Sequence, residues 1–98
     1  MGAHVYILRC RDESYYTGRT VNVETRISEH NLGKGGDFTM RRRPVRLVWY
    51  YDFATEQEAY VVERQIKGWT RAKKEALIAG DFDLLVRLSK KKKMSEKV

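Results

Sequence analysis

The stretch from Val5 to His30 leaves this chain few options for folding. Val5-Tyr6-Ile7-Leu8 suits a strand buried on both faces. Arg11-Asp12-Glu13-Ser14 is polar and compatible with a turn. Tyr15-Tyr16-Thr17-Gly18 then supplies a second short strand. Two adjacent strands joined by about four residues predict an antiparallel hairpin. A helix follows, with Thr20 or Asn22 as its cap and Gly33 as its stop. Val23 and Ile27 face the core, whereas Asn22, Arg26 and His30 recur every four residues and stack on one face. A tyrosine-bearing hairpin followed directly by a helix with a guanidinium and an imidazole holds the groups needed to handle a phosphate.

Residues 33–43 read as a loop rich in glycine and arginine. It lacks the Walker spacing of a glycine, four residues and Gly-Lys-Ser/Thr, so no nucleotide cofactor is expected. Basic, flexible and carrying Phe38, it suits either a clamp on a polynucleotide backbone or a plain mobile connection. Pro44 marks entry to a third strand, in which Val45, Leu47, Trp49, Tyr51 and Phe53 alternate with Arg46, Val48, Tyr50 and Asp52. Thr55 and Glu58 form a capping box for a second helix. Its apolar stripe is Ala59, Val62, Ile66 and Trp69, with Glu63 at the border. Thr70 caps a further helix with Ala72, Ala76 and Leu77 inward and Gly80 at its end, and Asp81 or Asp83 opens a last short segment. The order β-β-α-β-α-α predicts an α/β (α+β) sandwich, a small three-stranded, largely antiparallel sheet flanked by helices.

The net charge of +7 is unevenly placed. Six basic residues against one glutamate give 87–98 a charge of +5, leaving +2 for residues 1–86. The expected organisation is one domain over 1–86 and a basic, disordered tail over 87–98. The tail adds non-specific attraction to nucleic acid or simply solubilises. Within the domain the cluster Arg41, Arg42, Arg43 and Arg46 is the better pointer to a polyanion. A lone Cys10 excludes an internal disulfide and a cysteine-rich zinc site and suits a reducing, cytoplasmic setting. Val5–Leu8 is far too short for a signal peptide or a membrane span, so no membrane partner is expected.

Taken in order, His4-Val5-Tyr6 on the first strand, Tyr16-Thr17-Gly18 on the second, Arg26 with His30 four residues on, and Glu63 on the helix after the third strand form a set. That set resembles the GIY-YIG nuclease superfamily. Lys34 in its Gly-Lys-Gly-Gly loop and Lys73-Lys74-Glu75-Ala76-Leu77-Ile78 look like the small stand-alone bacterial members. The resemblance covers roughly residues 4 to 80. His4 stands where the family has glycine, and Val5 and Thr17 stand where it has isoleucine.

The resemblance implies a single-step, metal-dependent hydrolysis of DNA phosphodiesters using one Mg²⁺ or Mn²⁺. Tyr6 is then the general base, Tyr16 a second phosphate or water contact, and the reverse assignment is nearly equivalent. A phenol titrating near 10 is ionised in about one molecule in a thousand at pH 7, a deficit of about 4 kcal/mol that nearby Arg19 and Arg26 must offset. Arg26 stabilises the transition-state charge, His30 orients or relays a proton, and Glu63 holds the metal with waters and phosphate oxygens. Arg19, Lys34, Arg41, Arg42 and Arg43 are the expected nucleic-acid contacts, and all site groups are expected to open onto one concave face. The expected partner is DNA, branched or damaged, met by a monomer alone or inside a larger repair or recombination assembly. Singly, each residue also has a structural explanation: half-buried tyrosines, a helix-end histidine, and a Glu63–Lys67 pair four residues apart. The rival function is a nucleic-acid-binding module of the same fold that cleaves nothing.

Overall fold

A computed structural model describes residues 2–97, with side chains described for 2–90. The chain forms two compact units, Met1–Gly68 and Trp69–Val98, a break that falls earlier than the change in charge at residue 87. The first unit runs β1 (Ala3–Arg9), β2 (Tyr15–Thr20), α1 (Val23–Asn31), α2 (Asp37–Met40), β3 (Arg46–Phe53) and α3 (Glu56–Lys67). The second holds α4 (Arg71–Ala79) and α5 (Phe82–Lys97). The sheet has the order β2-β1-β3 and both pairings are antiparallel, but a register shift between Ile7 and Leu8 puts Leu47 and Trp49 on opposite faces and leaves Tyr51 exposed, so the third strand does not keep the alternation expected of it.

The apolar run becomes the central strand because only there are both faces and both edges covered. Val5, Tyr6, Ile7 and Leu8 are each 1% exposed or less. Register sets Tyr6 opposite Gly18 and Leu8 opposite Tyr16, so these residues share a face. That face forms the cluster Tyr6, Leu8, Cys10 and Val45, with Ile27 of α1 and Leu47 packed on it. Val5, Ile7, Thr17 and Arg19 alternate onto the other face, where Arg19 meets α3. Helices α1 and α3 therefore cover opposite faces.

Local signals end the helices as the chain predicts. Asn22 Oδ1 accepts from Thr25 N at 3.1 Å, and Gly33, at φ 83°, closes α1 by donating to His30 O. Both hydrogen bonds of the Thr55–Glu58 capping box form. Gly68 ends α3, so Trp69 lies outside the helix whose stripe it was expected to complete. Thr70 accepts from Lys73 N, and Gly80 closes α4 at φ 73°.

Two features differ from the sequence reading. The loop at 33–43 contains α2, one turn whose Thr39 is fully buried. Four residues are too few for a helical period to show. The basic segment expected as a tail continues α5 to Lys97, in line with the helix propensity of leucine, arginine and lysine. Among the described residues, no helix is long and apolar enough to cross a membrane.

Candidate active site

Tyr6, His30 and Thr39 form a buried hydrogen-bond chain. The Tyr6 hydroxyl lies 2.9 Å from His30 Nε2, and His30 Nδ1 lies 2.7 Å from Thr39 Oγ1. None of the three is more than 1% exposed. Two glycines make room for it. A Cβ on Gly18 would collide with the Tyr6 hydroxyl, and one on Gly35 with the His30 ring. Burial pushes the Tyr6 phenol up to about 12, against the opposing pull of the Arg26 guanidinium beside it. Burial, and then the charge of Arg26, hold His30 below its ordinary value. At neutral pH the imidazole is therefore uncharged, with one ring nitrogen donating and the other accepting along the chain from Tyr6 to Thr39.

Tyr16, Arg26 and Phe38 complete this side. The Tyr16 ring lies 5.2 Å from His30, 6.4 Å from Tyr6 and 5.9 Å from Phe38. Arg26 is held by Glu29 at 3.0 Å, which leaves the guanidinium half-buried against Tyr6. Tyr6, Tyr16, Arg26 and His30 are thus brought together as the sequence reading expects.

Glu63 arrives differently. It belongs to α3, on the other face, so the expectation of one concave face holding all five groups needs correction. Alternation along β2 is the reason: Gly18 faces Tyr6, and Arg19 faces α3. The two sides meet at the open edge of β2, where the Glu63 charge opposes ionisation of Tyr6 and Lys67 Nζ lies 5.9 Å from the Tyr16 ring. Glu63 is 8% exposed, with Arg19 Nε 3.4 Å from one oxygen and Lys67 Nζ 3.0 Å from the other. Tyr60 stands beside them, with Arg19 5.0 Å and Arg64 5.9 Å from its ring. Tyr60 and Arg64 were not anticipated. Their spacing from Glu63 and Lys67 along α3 was the available signal, but nothing in the sequence said which helix face meets β2.

Comparison with known proteins bears on this arrangement. The family model described as the GIY-YIG catalytic domain matches residues 2–76. The chain belongs to the GIY-YIG family. It is 46% identical over 81 residues to a UPF0213 protein of Haloquadratum walsbyi, covering 83% of this chain and 91% of that one. A UPF0213 protein of Halalkalibacterium halodurans is 41% identical over 92 residues, 91% of this chain and 98% of the other. The solution NMR structure of a UPF0213 protein from Bacillus halodurans superposes with a TM-score of 0.54 at 44% identity, covering 81% and 84% of the two chains. That of a protein from E. faecalis gives 0.58 at 33% identity, covering 84% and 88%.

Around this GIY-YIG centre the loop cations divide into two groups. Arg42 is built into the fold. It binds Asp12 and Phe38 O at 3.0 and 2.9 Å and stacks on the Phe38 ring at 3.9 Å. Arg43 donates to Met40 O and Asn31 O, sealing the end of α1. Lys34 and Arg41 are exposed. His4, in the position where the GIY-YIG motif has glycine, pairs with Asp52 across β1 and β3.

GIY-YIG nucleases generally use a divalent metal ion. The donor set here is one carboxylate. Among the described residues, no group of three or more His, Cys, Asp or Glu side chains is placed to hold a metal. A lone hard oxygen donor fits Mg²⁺ or Mn²⁺, ions that keep several waters and take phosphate oxygens from the substrate, and excludes a closed all-protein cage. Glu63 is the residue that would hold it, in competition with Arg19 and Lys67.

Proposed function

We propose that the protein is an endonuclease that hydrolyses DNA phosphodiesters, with Tyr6, Tyr16, Arg26 and His30 as its catalytic residues. The buried Tyr6–His30–Thr39 chain carries this reading. A phenol held near 12 is a poor base alone, because ionising it at pH 7 costs about 7 kcal/mol. A neutral imidazole at 2.9 Å changes that. Tyr6 Oη takes a proton from the attacking water while its own proton passes to His30 Nε2, so the positive charge ends on the imidazole. Thr39 keeps the ring oriented throughout. Arg26 lies beside the same hydroxyl, where negative charge builds on the phosphoryl group, and Tyr16 contacts phosphate or water from the next strand. Glu63 is the residue that would hold a divalent ion, which when bound would supply positive charge for the leaving oxygen. Lys34 and Arg41 approach the DNA backbone as the loop's free cations. The setting that fits is DNA repair or recombination in the cytoplasm, acting as a monomer or within an assembly.

A second reading has its own observation. Glu63 is neutralised from both sides by Arg19 and Lys67, the arrangement expected of a DNA-binding module that cleaves nothing. One experiment separates the two. Pure protein is incubated with branched, flapped and duplex DNA, with Mg²⁺, Mn²⁺ or chelator. Metal-dependent nicks, lost in Tyr6→Phe, support the nuclease, and a mobility shift without nicks under every condition supports the binding module.

A further inference from the structure

The turn end of the sheet holds a second cationic site, formed by residues outside the catalytic group. Arg9 and Arg46 are register partners across β1 and β3. Like charges placed directly opposite on a strand pair are destabilising, so the pairing needs a reason beyond the fold. Glu13 pairs with Arg9 and offsets part of that charge. Among the described residues, Arg11 and Arg46 have no side-chain partner. The three arginines and Glu13, with Pro44 and Val45, line a cavity of about 350 Å³. Its charged lining is three cations and one anion, a net +2. Guanidinium forks match a phosphate in shape and charge, and a hollow of this size also admits an attached sugar.

Position argues for a polynucleotide rather than a free anion. Arg9 lies three residues along β1 from Tyr6, about 10 Å at the rise of a strand. The Arg42 main chain, which accepts from Arg11 N at 2.9 Å, ties this end to the α2 loop that closes over His30. By strand alternation the Arg9 and Arg46 side chains leave the sheet on the face opposite Tyr6, so a strand of phosphates held at Tyr6 meets this hollow by passing around the turn end of the sheet. Of the cations that the sequence suggested as the clamp, Lys34, Arg41, Arg42 and Arg43, the last two are spent on Asp12, Phe38, Met40 and Asn31, and Arg11 and Arg46 are available charges at this end.

We infer that the Arg9–Arg11–Arg46 hollow binds a backbone phosphate of the same DNA whose scissile phosphate sits at Tyr6, fixing register on the strand. This rests on the DNA reading above, but binding tests it separately from cleavage.

The test uses full-length protein carrying Tyr6→Phe, so that binding is measured without turnover, with and without Arg11→Gln and Arg46→Gln together. A labelled DNA duplex is titrated over a range of salt, and inorganic phosphate serves as a second probe by amide NMR. Loss of one phosphate contact predicts a salt slope shallower by about 1 and affinity lower by about tenfold at low salt. Duplex shifts the amides of Arg11, Val45 and Arg46 in the parent and leaves them unmoved in the variant. The melting temperature stays level or rises, because a like-charge pair is relieved. An unchanged salt slope overturns the inference. A fall in melting temperature with unchanged binding also does, since the arginines then serve the fold. Response to inorganic phosphate but not to duplex overturns the assignment to a polynucleotide. If the parent enzyme never cleaves DNA but the slope changes as stated, the nuclease reading fails and the phosphate site stands.

Discussion

The Tyr6 hydroxyl and His30 Nε2 share a hydrogen bond of 2.9 Å between two buried side chains. One hydrogen bond thus joins the first strand of the hairpin to the last turn of α1. It ties the stability of the domain to the protonation of two residues proposed for the chemistry, so folding and activity are expected to respond together.

Removing either partner tests that coupling. Tyr6→Phe keeps the ring in its cluster but strands His30 Nε2, and is expected to cost about 1–3 kcal/mol by urea unfolding. His30→Ala strands both Tyr6 and Thr39 and opens a cavity, so it is expected to cost more. Both variants should lose DNA nicking. A His30→Ala protein as stable as the parent would show that the buried chain is not a structural element.

The pH dependence of stability has a definite sign at each end. Because folding lowers the pKa of His30, the folded state resists protonation there, and stability is lost as pH falls from about 6.5 through the depressed value. Because folding raises Tyr6 from 10.0 to about 12, stability is full below 10 and falls by about 3 kcal/mol as pH rises through 12. Thermal melts across pH should show both limbs. His30→Gln should flatten the acid one and Tyr6→Phe the alkaline one.

Glycines at the site are predicted to be intolerant. Gly35→Ala places a methyl against the His30 ring, and Gly18→Ala places one against the Tyr6 hydroxyl. Each is expected to destabilise by about 1–3 kcal/mol and to displace the ring it meets. Gly68→Ala, which brings a Cβ no nearer than 3.6 Å to its neighbour, is the control expected to melt as the parent does. Circular dichroism melts of the three variants decide the point.

Glu63 carries the metal prediction. Glu63→Gln should retain DNA binding, or tighten it through loss of a negative charge, while nicking falls at least a hundredfold. Lys67→Ala frees one carboxylate oxygen from a competing cation at 3.0 Å. Calorimetric titration with Mg²⁺ should then show tighter binding in Lys67→Ala than in the parent, and none in Glu63→Gln. Equal Mg²⁺ affinity in all three proteins would remove Glu63 as the ligand.

The loop cations should separate by role. Arg42→Ala removes the contacts to Asp12 and the Phe38 carbonyl and ring, so it should lower the melting temperature. Exposed Lys34→Ala and Arg41→Ala should leave melting unchanged and weaken DNA binding uniformly across sequences. These results would divide a cluster that looks uniform in the sequence into one part for the fold and one for the ligand.

The sequence alone determined the three strands and the helices α1, α3 and α4, with their ends. An apolar run made the central strand, the aromatic and β-branched run from Val45 to Phe53 made an edge strand, and Asn22, Thr55, Thr70, Gly33 and Gly80 placed the helix boundaries. These are local effects of backbone preference and side-chain capping, complete within a few residues of the chain. The spacing of Asn22, Arg26 and His30 likewise put a cation and an imidazole on one helix face. Only tertiary structure decided which groups meet. Burial of His30 between Tyr6 and Thr39 depends on a one-turn helix and on Gly35, neither of which has a periodic signature. The placement of Glu63 on the far face, reaching Arg19 around the β2 edge, follows from how α3 docks on a twisted sheet. Which arginines bind the fold and which remain free was settled by contacts thirty or more residues apart, as between Arg42 and Asp12 or Arg9 and Arg46. Charge in a sequence gives the number of cations, and packing determines how many are left for a ligand.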